Sequence, residues 1–213
     1  MTTLATPVTL RNDVVRLEPL THQHTDDLCE ATADGDLHTL WFTLVPSPAE
    51  MTTEIDRRLT LQREASMNPF AVISLLPGDT YGKAVGMTTF MHIDQSNQRV
   101  EIGSTWYRAA VQRTPLNSAC KRLLLGHAFD TLACIAVEFR THVMNHRSRR
   151  AIERLGAKLD GILRSHQINR HPLAGNSLRD TCVYSLTQAE WPAVRAHLDS
   201  GLSLAIPQPA NIG

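Results

Sequence analysis

The sequence predicts an α/β chain, a mixed and mostly antiparallel β-sheet covered by helices on both faces. Two observations carry this. Stretches of alternating apolar and polar residues, joined by short turns, recur along the middle and late chain. Between them the apolar pattern switches to helical spacing, with Leu116, Cys120, Leu124, Ala128 and Leu132 on one stripe. A period-3.6 segment between two period-2 segments can cross over and bring its flanking strands parallel, while tight turns make the others antiparallel.

The elements follow in order. Residues 14–17 form a β-branched run ended by Pro19, hence a strand. Thr21 then caps a helix reaching Ala33, with Asp26 and Asp27 near its positive end. Asp34-Gly35-Asp36 breaks it. Pro46-Ser47-Pro48 makes a stiff turn before a second helix to about Glu64, with Met51, Ile55 and Leu59 at helical spacing. FAVISLL, residues 70–76, reads as a buried strand closed by Pro77-Gly78-Asp79. In residues 84–93, Val85, Met87, Met91 and Ile93 point one way, with Thr88 and His92 opposite. In Arg99–Tyr107, Val100, Ile102 and Trp106 share a face opposite Glu101, Gly103, Thr105 and Tyr107. These two runs make a hairpin. The striped helix follows, then a strand over 137–143 and a short helix from Asn145 to Leu155 closed by Gly156. Two strands, 158–166 and 180–186, and a helix over 190–198 complete the order. We expect one domain over residues 10–198 and a loose tail over 199–213.

Composition narrows the function classes. The chain has 213 residues and equal numbers of basic and acidic side chains, 21 each, so its formal net charge is zero. That argues against a nucleic-acid binder that neutralises many phosphates. The four cysteines form no C-x-x-C pair and read as free thiols in a reducing compartment. No signal peptide or membrane-length apolar run is present, so a cytoplasmic location without membrane attachment is expected.

Four segments could carry chemistry. The junction at residues 107–121, YRAAVQRTPLNSACK, opens a helix with Thr114-Pro115, and the unpaired first-turn N–H groups of such a helix can hold phosphate. Gln112, Arg113, Asn117, Ser118 and Lys121 would surround it; an ordinary capped helix with a solvated basic rim has the same pattern. In residues 141–157, THVMNHRSRRAIERLGA, Asn145 sits at an N-cap with Ser148 three residues on, so both face the strand ends. Asn145 could bond a ligand amide and Ser148 could protonate a leaving thiolate; simple capping is the alternative. Glu101 could accept a proton from an amine if its strand face lines a cleft, and otherwise sits on a solvated face. Trp41-Phe42 serves as a core aromatic anchor or as a substrate platform. His142 and His146 are spaced i, i+4, but a helix boundary between them and the lack of a third ligand argue against metal.

Taken in order, the pieces VVRLEPL, LWFTLVPSPAEM, FAVISLL, AVGMTTF, EIGSTWY, VQRTPLNSACKRLLLGHAFD, VEFRTHVMNHRSRRAIERLGA, DGILRSH and RDTCVYSLTQAEW resemble the GNAT acyl-CoA N-acyltransferases, in their RimJ/RimL-like branch. The resemblance implies acetyl-CoA as co-substrate, no metal, and a pantetheine arm lying in a splay between the family's fourth and fifth strands. Those are Arg99–Tyr107 and 137–143 here, with Ser104, Thr105 and Trp106 beside the arm. The pyrophosphate would rest on Gln112, Arg113, Thr114, Asn117, Ser118 and Lys121. The family's loop, Q/R-x-x-G-x-G/A, has no glycine here, and Pro115 lacks an N–H, so an altered geometry using Asn117 and Ser118 is expected. The resemblance also implies that Asn145 contacts pantetheine, that Ser148 and Glu101 are catalytic, and that Trp41, Phe42, Tyr107 and His142 line the acceptor side. The acceptor would be an amine-bearing small molecule or an aminoacyl or peptide N-terminus; a homodimer is compatible with this. The alternatives are a protein N-terminal acetyltransferase and a non-catalytic acyl-CoA-binding module on the same scaffold.

Overall fold

A computed structural model of the chain describes residues 4–205. Eight strands form one sheet in the order β1-β2-β3-β4-β5-β6-β8-β7. They are β1 (Leu10–Arg11), β2 (Val15–Pro19), β3 (Met67–Ser74), β4 (Ala84–Asp94), β5 (Arg99–Tyr107), β6 (Ala136–His142), β7 (Lys158–Ile168) and β8 (Leu178–Thr187). The helices are α1 (Thr25–Ala33), α2 (Met51–Arg63), α3 (Leu116–Gly126), α4 (His146–Arg154) and α5 (Trp191–Ala205). Every neighbouring pair is antiparallel except β5 and β6. Those two are joined through α3, the crossover a parallel pair requires. The expected mixed, mostly antiparallel sheet is therefore present. No helix among the described residues is long and apolar enough to cross a membrane.

Two apolar cores lie on the two faces. The larger holds Leu116, Cys120 and Leu124 of α3 and Ala128 just beyond it, with Phe90, Ile102, Phe139 and Trp191. The smaller packs Leu28 of α1 and Met51 and Ile55 of α2 against Met87 and Trp106. Burying each such side chain contributes roughly 1.5–3 kcal/mol, so the amphipathic faces of α1, α2 and α3 dock firmly. Helix α5 runs to Ala205, past the expected end at Leu198 and into the segment expected to be a loose tail, because Leu202 still packs on the larger core. The rest of that tail lies outside the described residues.

Two face assignments are corrected. Trp106 belongs to the smaller core, on the face opposite Val100 and Ile102. The cause is a bulge. Thr89 pairs with Gly103, but Met87 pairs with Trp106, so three steps along β5 oppose two along β4. The additional residue reverses the alternation beyond it. A similar slip between β3 and β4 puts Val85 and Met87 on opposite faces, where strict alternation puts them on one. Gly86 sits at that slip. A Cβ there would collide with the Trp106 carbonyl.

Candidate functional site

Strands β5 and β6 pair only over Arg99–Glu101 and Ala136–Glu138. Beyond Glu101 they part, and the bulge falls on the β5 side of the gap. Ser104 occupies the left-handed region there, with φ of 47°. A serine in that conformation costs about 1 kcal/mol, so the surroundings must hold it. Arg58 of α2 does so. It is 1% exposed, and its Nη1 and Nη2 lie 3.5 and 3.4 Å from the Ser104 carbonyl. Its Nη1 also donates to Thr89 Oγ1 at 2.6 Å, and its Nε to Glu54 Oε1 at 2.7 Å. Burial lowers the Arg58 pKa and Glu54 opposes that effect, so the guanidinium stays charged.

Thr105, beside the bulge, exchanges a 2.8 Å hydrogen bond with Thr88 and accepts one from Lys121 Nζ at 3.2 Å. Lys121, expected among the donors around the pyrophosphate, does not stand on a solvated basic rim. It is buried, with Nζ 5.8 Å from the centre of the Phe139 ring, and burial lowers its pKa to about 8. The α3 stripe turns it inward, because Lys121 follows Cys120 on the core-facing side.

Glu101 is the last paired residue before the strands part, and it is 5% exposed. His92 Nδ1 lies 2.8 Å from its Oε2, and Arg140 Nε 3.4 Å. The hydrogen bond to Glu101 raises the His92 pKa. The carboxylate has room because Gly103 has no Cβ; one there would stand 2.6 Å from Glu101 Oε1 and 2.8 Å from Met91 Sδ. Arg99 and Arg140 bind the adjacent Glu138 at 2.7 and 2.9 Å.

At the far end of β5 the chain turns into α3. Arg113 is left-handed, with φ of 66°, so the turn reaches the conformation that glycine would supply by using an arginine. Thr114 Oγ1 accepts from the Leu116 N–H at 3.3 Å and caps the helix. Arg113 is exposed, while Asn117 and Ser118 stand half-buried on the first turn. Gln112 is engaged elsewhere: its Nε2 donates to the Tyr107 carbonyl at 2.7 Å, and its Oε1 accepts from Arg147 at 2.6 Å. It thus ties the start of α3 to the start of α4.

Asn145 caps α4, its Oδ1 accepting from the Ser148 N–H at 3.0 Å. The Ser148 hydroxyl makes no hydrogen bond among the described residues, so it is free to donate. His142, at the end of β6, is buried. Its Nδ1 accepts from the Met144 N–H at 3.0 Å, and burial lowers its pKa.

Trp41 is not a core anchor. It is 38% exposed and rests edge-on against His142 and Phe42, with ring centres 5.2 and 5.7 Å apart. Its loop is held to the segment between β7 and β8 by Asn169 Nδ2, which donates to the Trp41 carbonyl at 3.0 Å, and by His171, whose Nε2 lies 3.1 Å from the His38 carbonyl. Between them opens a pocket of about 380 Å³ lined by Phe42, Leu44, Gln167, Asn169, Arg170 and Arg179. Tyr107 is corrected away from this side. The bulge turns it toward the larger core, where burial raises its phenol pKa. Among the described residues no three His, Cys, Asp or Glu side chains gather as a metal site.

Arg58 and Lys121 thus meet β5 at Ser104 and Thr105, Asn145 caps the helix that carries Ser148, and Trp41 rests against Phe42 and His142. Arg58, His92, Arg140 and Arg179 had not been singled out. Arg58 carried one signal: it falls three residues after Ile55 and seven after Met51, on the apolar face of α2.

Residues 15–158 match the acetyltransferase (GNAT) domain family model. A protein named as a ribosomal N-acetyltransferase, YdaF of Bacillus subtilis, is 31% identical over 111 residues, which is 52% of this chain. The matched part spans 57% of that curated relative's length. A GCN5-related N-acetyltransferase structure from Brucella melitensis superposes with a TM-score of 0.78 at 30% identity, covering 92% of this chain and 85% of its own. RimJ of Mycobacterium smegmatis, solved with CoA-disulfide, shares the fold with a TM-score of 0.74 at 17% identity, covering 92% and 94%.

Proposed function

The chain belongs to the GNAT acetyltransferase family, and from that premise we propose that it moves the acetyl group of acetyl-CoA directly to a primary amine in a ternary complex. The observation that carries the proposal is the parting of β5 and β6 beyond Glu101, with a braced bulge at Ser104 on one side and the capped start of α4 on the other. Acetyl-CoA supplies the thioester carbonyl that the amine attacks. The residues present suit it: Arg113, Thr114, Asn117 and Ser118 stand at a helix N-terminus, where unpaired N–H groups favour phosphate. Ser104, Thr105, Trp106 and Asn145 belong to the pantetheine channel.

In this mechanism the bulged backbone near Ser104 offers N–H groups to the charge that develops on the carbonyl oxygen. Glu101 takes the amine's proton, directly or through water, with His92 at its other oxygen ready to share the charge. The free hydroxyl of Ser148 gives a proton to the leaving thiolate. His142, Trp41 and Phe42 shape the acceptor mouth. A small amine or aminoacyl acceptor suits the strapped loop at that mouth, where Asn169 and His171 hold the backbone of residues 38–41. The YdaF likeness favours a second reading, a peptide or protein N-terminus.

The test is release of free CoA thiol with a panel of amines. Glu101→Gln and Ser148→Ala each lower kcat about 100-fold while leaving acetyl-CoA affinity nearly unchanged. Wild-type turnover in both would remove these roles. Acetyl-CoA binding with no amine-dependent thiol release would instead make the chain a binding module.

A further inference from the structure

Arg179 lies in β8 opposite Gln167 and two residues before Thr181, the register partner of His142. This places it between the pocket and the cleft. Its Nε is fully buried without a hydrogen-bond partner, and none of its N–H groups donates to an acceptor among the described residues. No carboxylate stands within ion-pair distance of it among those residues. Glu101 is the one charge that acts on it appreciably, from a distance, and that carboxylate is already held by His92 and Arg140. Burial dominates and lowers the Arg179 pKa.

A half-buried guanidinium whose Nε–H has no acceptor is costly, because dehydration of that N–H is not repaid inside the fold, while its Nη groups stay open toward the pocket. Such a group persists where a ligand supplies the acceptors. Arg179 faces the pocket beside Arg170, which makes no ion pair among the described residues, and no acidic residue lines that wall. The planar fork of a guanidinium matches a carboxylate or a phosphate with two parallel N–H···O bonds.

Resting on the acetyl-transfer reading, we propose that the amine acceptor carries a second, anionic group, a carboxylate or a phosphate, which Arg179 binds in this pocket with Arg170 at its rim. The acceptor is then selected at two points: the amine near Glu101, and the anion between β8 and the 42–44 loop. This goes beyond any amine and names a class, amino acids, their conjugates or phosphorylated amines.

The experiment compares matched acceptors by thiol release. β-Alanine is set against β-alaninamide, and O-phosphoethanolamine against ethanolamine, so the two pairs separate carboxylate from phosphate. The expected kcat/KM of the anionic member exceeds that of its neutral partner about tenfold or more in at least one pair, the range of a charged hydrogen bond. In Arg179→Met that ratio collapses toward one; Arg179→Lys retains part of it. Arg179→Glu shifts preference toward 1,3-diaminopropane. Thermal midpoints and acetyl-CoA affinity of the variants verify folding. A wild-type ratio near one in both pairs overturns the proposal, as does a ratio that survives Arg179→Met.

Calorimetry with saturating CoA separates this site from the reaction. Inorganic phosphate or β-alanine bound by wild type but not by Arg179→Met, in a protein that transfers no acetyl group, upholds the anion site and removes the acetyl-transfer reading. Efficient transfer without anion selectivity does the reverse.

Discussion

Replacing Arg58 with methionine removes the brace of the bulge while filling most of its volume. The guanidinium makes one bond to Glu54, one to Thr89 Oγ1 and a forked approach to the Ser104 carbonyl. Glu54 is not orphaned by the change, because Arg57 still binds it at 2.7 and 2.8 Å. The lost Arg58–Glu54 attraction is largely offset by no longer burying a charge. What remains is the buried Thr89 hydroxyl and the part-buried Ser104 carbonyl without their donor, about 1 kcal/mol each. The expected destabilisation is therefore about 2 kcal/mol, a fall in thermal midpoint of about 4–8 °C for a chain of this size. The larger effect falls on the reaction. Ser104 holds a left-handed conformation that serine does not favour, and without the brace its peptide can relax. A shift of about 1 Å in groups that meet the transition state costs on the order of 100-fold, so kcat for acetyl transfer should drop by about that factor. Thiol-release kinetics at a temperature well below the midpoint measures it. A folded Arg58→Met protein with kcat within about twofold of wild type would refute the brace.

Three further outcomes follow from the geometry. Gly103→Ala should fold, since its Cβ meets only the ends of the Glu101 and Met91 side chains, but it should lose about 1–2 kcal/mol and lower kcat by displacing the carboxylate; unchanged kinetics would show that the carboxylate's position is immaterial. Hydrogen bonding to Glu101 raises the His92 pKa, so this pair adds stability below the ordinary histidine value and loses it as pH rises through the folded one. An NMR titration of His92 should therefore show a midpoint above that of Glu101→Gln, and equal midpoints would dissolve the pair. Lys121 is shifted the other way, to about 8. The unfolded chain then binds the additional proton above that pH, and wild type should gain about 2 kcal/mol relative to Lys121→Met from roughly pH 7.5 to 9.5; parallel denaturation curves at the two pH values would show that Lys121 is hydrated.

The helix starts at Asn145 and Thr114, the stripe on α3, and the hairpin of β4 and β5 were legible because each depends on contacts within a few residues. Glu101 was legible as a candidate from strand alternation, Ser148 from its spacing after the Asn145 cap, and the role of each came from the family resemblance. The differences have two causes. Trp106 and Tyr107 were placed by strict alternation, and one bulged residue at Ser104 inverted both. Lys121 and Gln112 were judged by residue type at a helix opening, but the rotation of α3 buried one and the neighbouring Arg147 captured the other.

The sequence by itself determined the order of the elements, their caps and turns, and the family they compose, since period, capping and turn chemistry are local properties of the chain. Only the tertiary structure decided that β8 inserts between β6 and β7, that β5 and β6 part after Glu101, that Arg58 leaves water for the interior, and that Arg179 buries its Nε without a partner. Those outcomes depend on strand pairing and burial between residues far apart in the chain, and the desolvation of a charge is set by what packs around it.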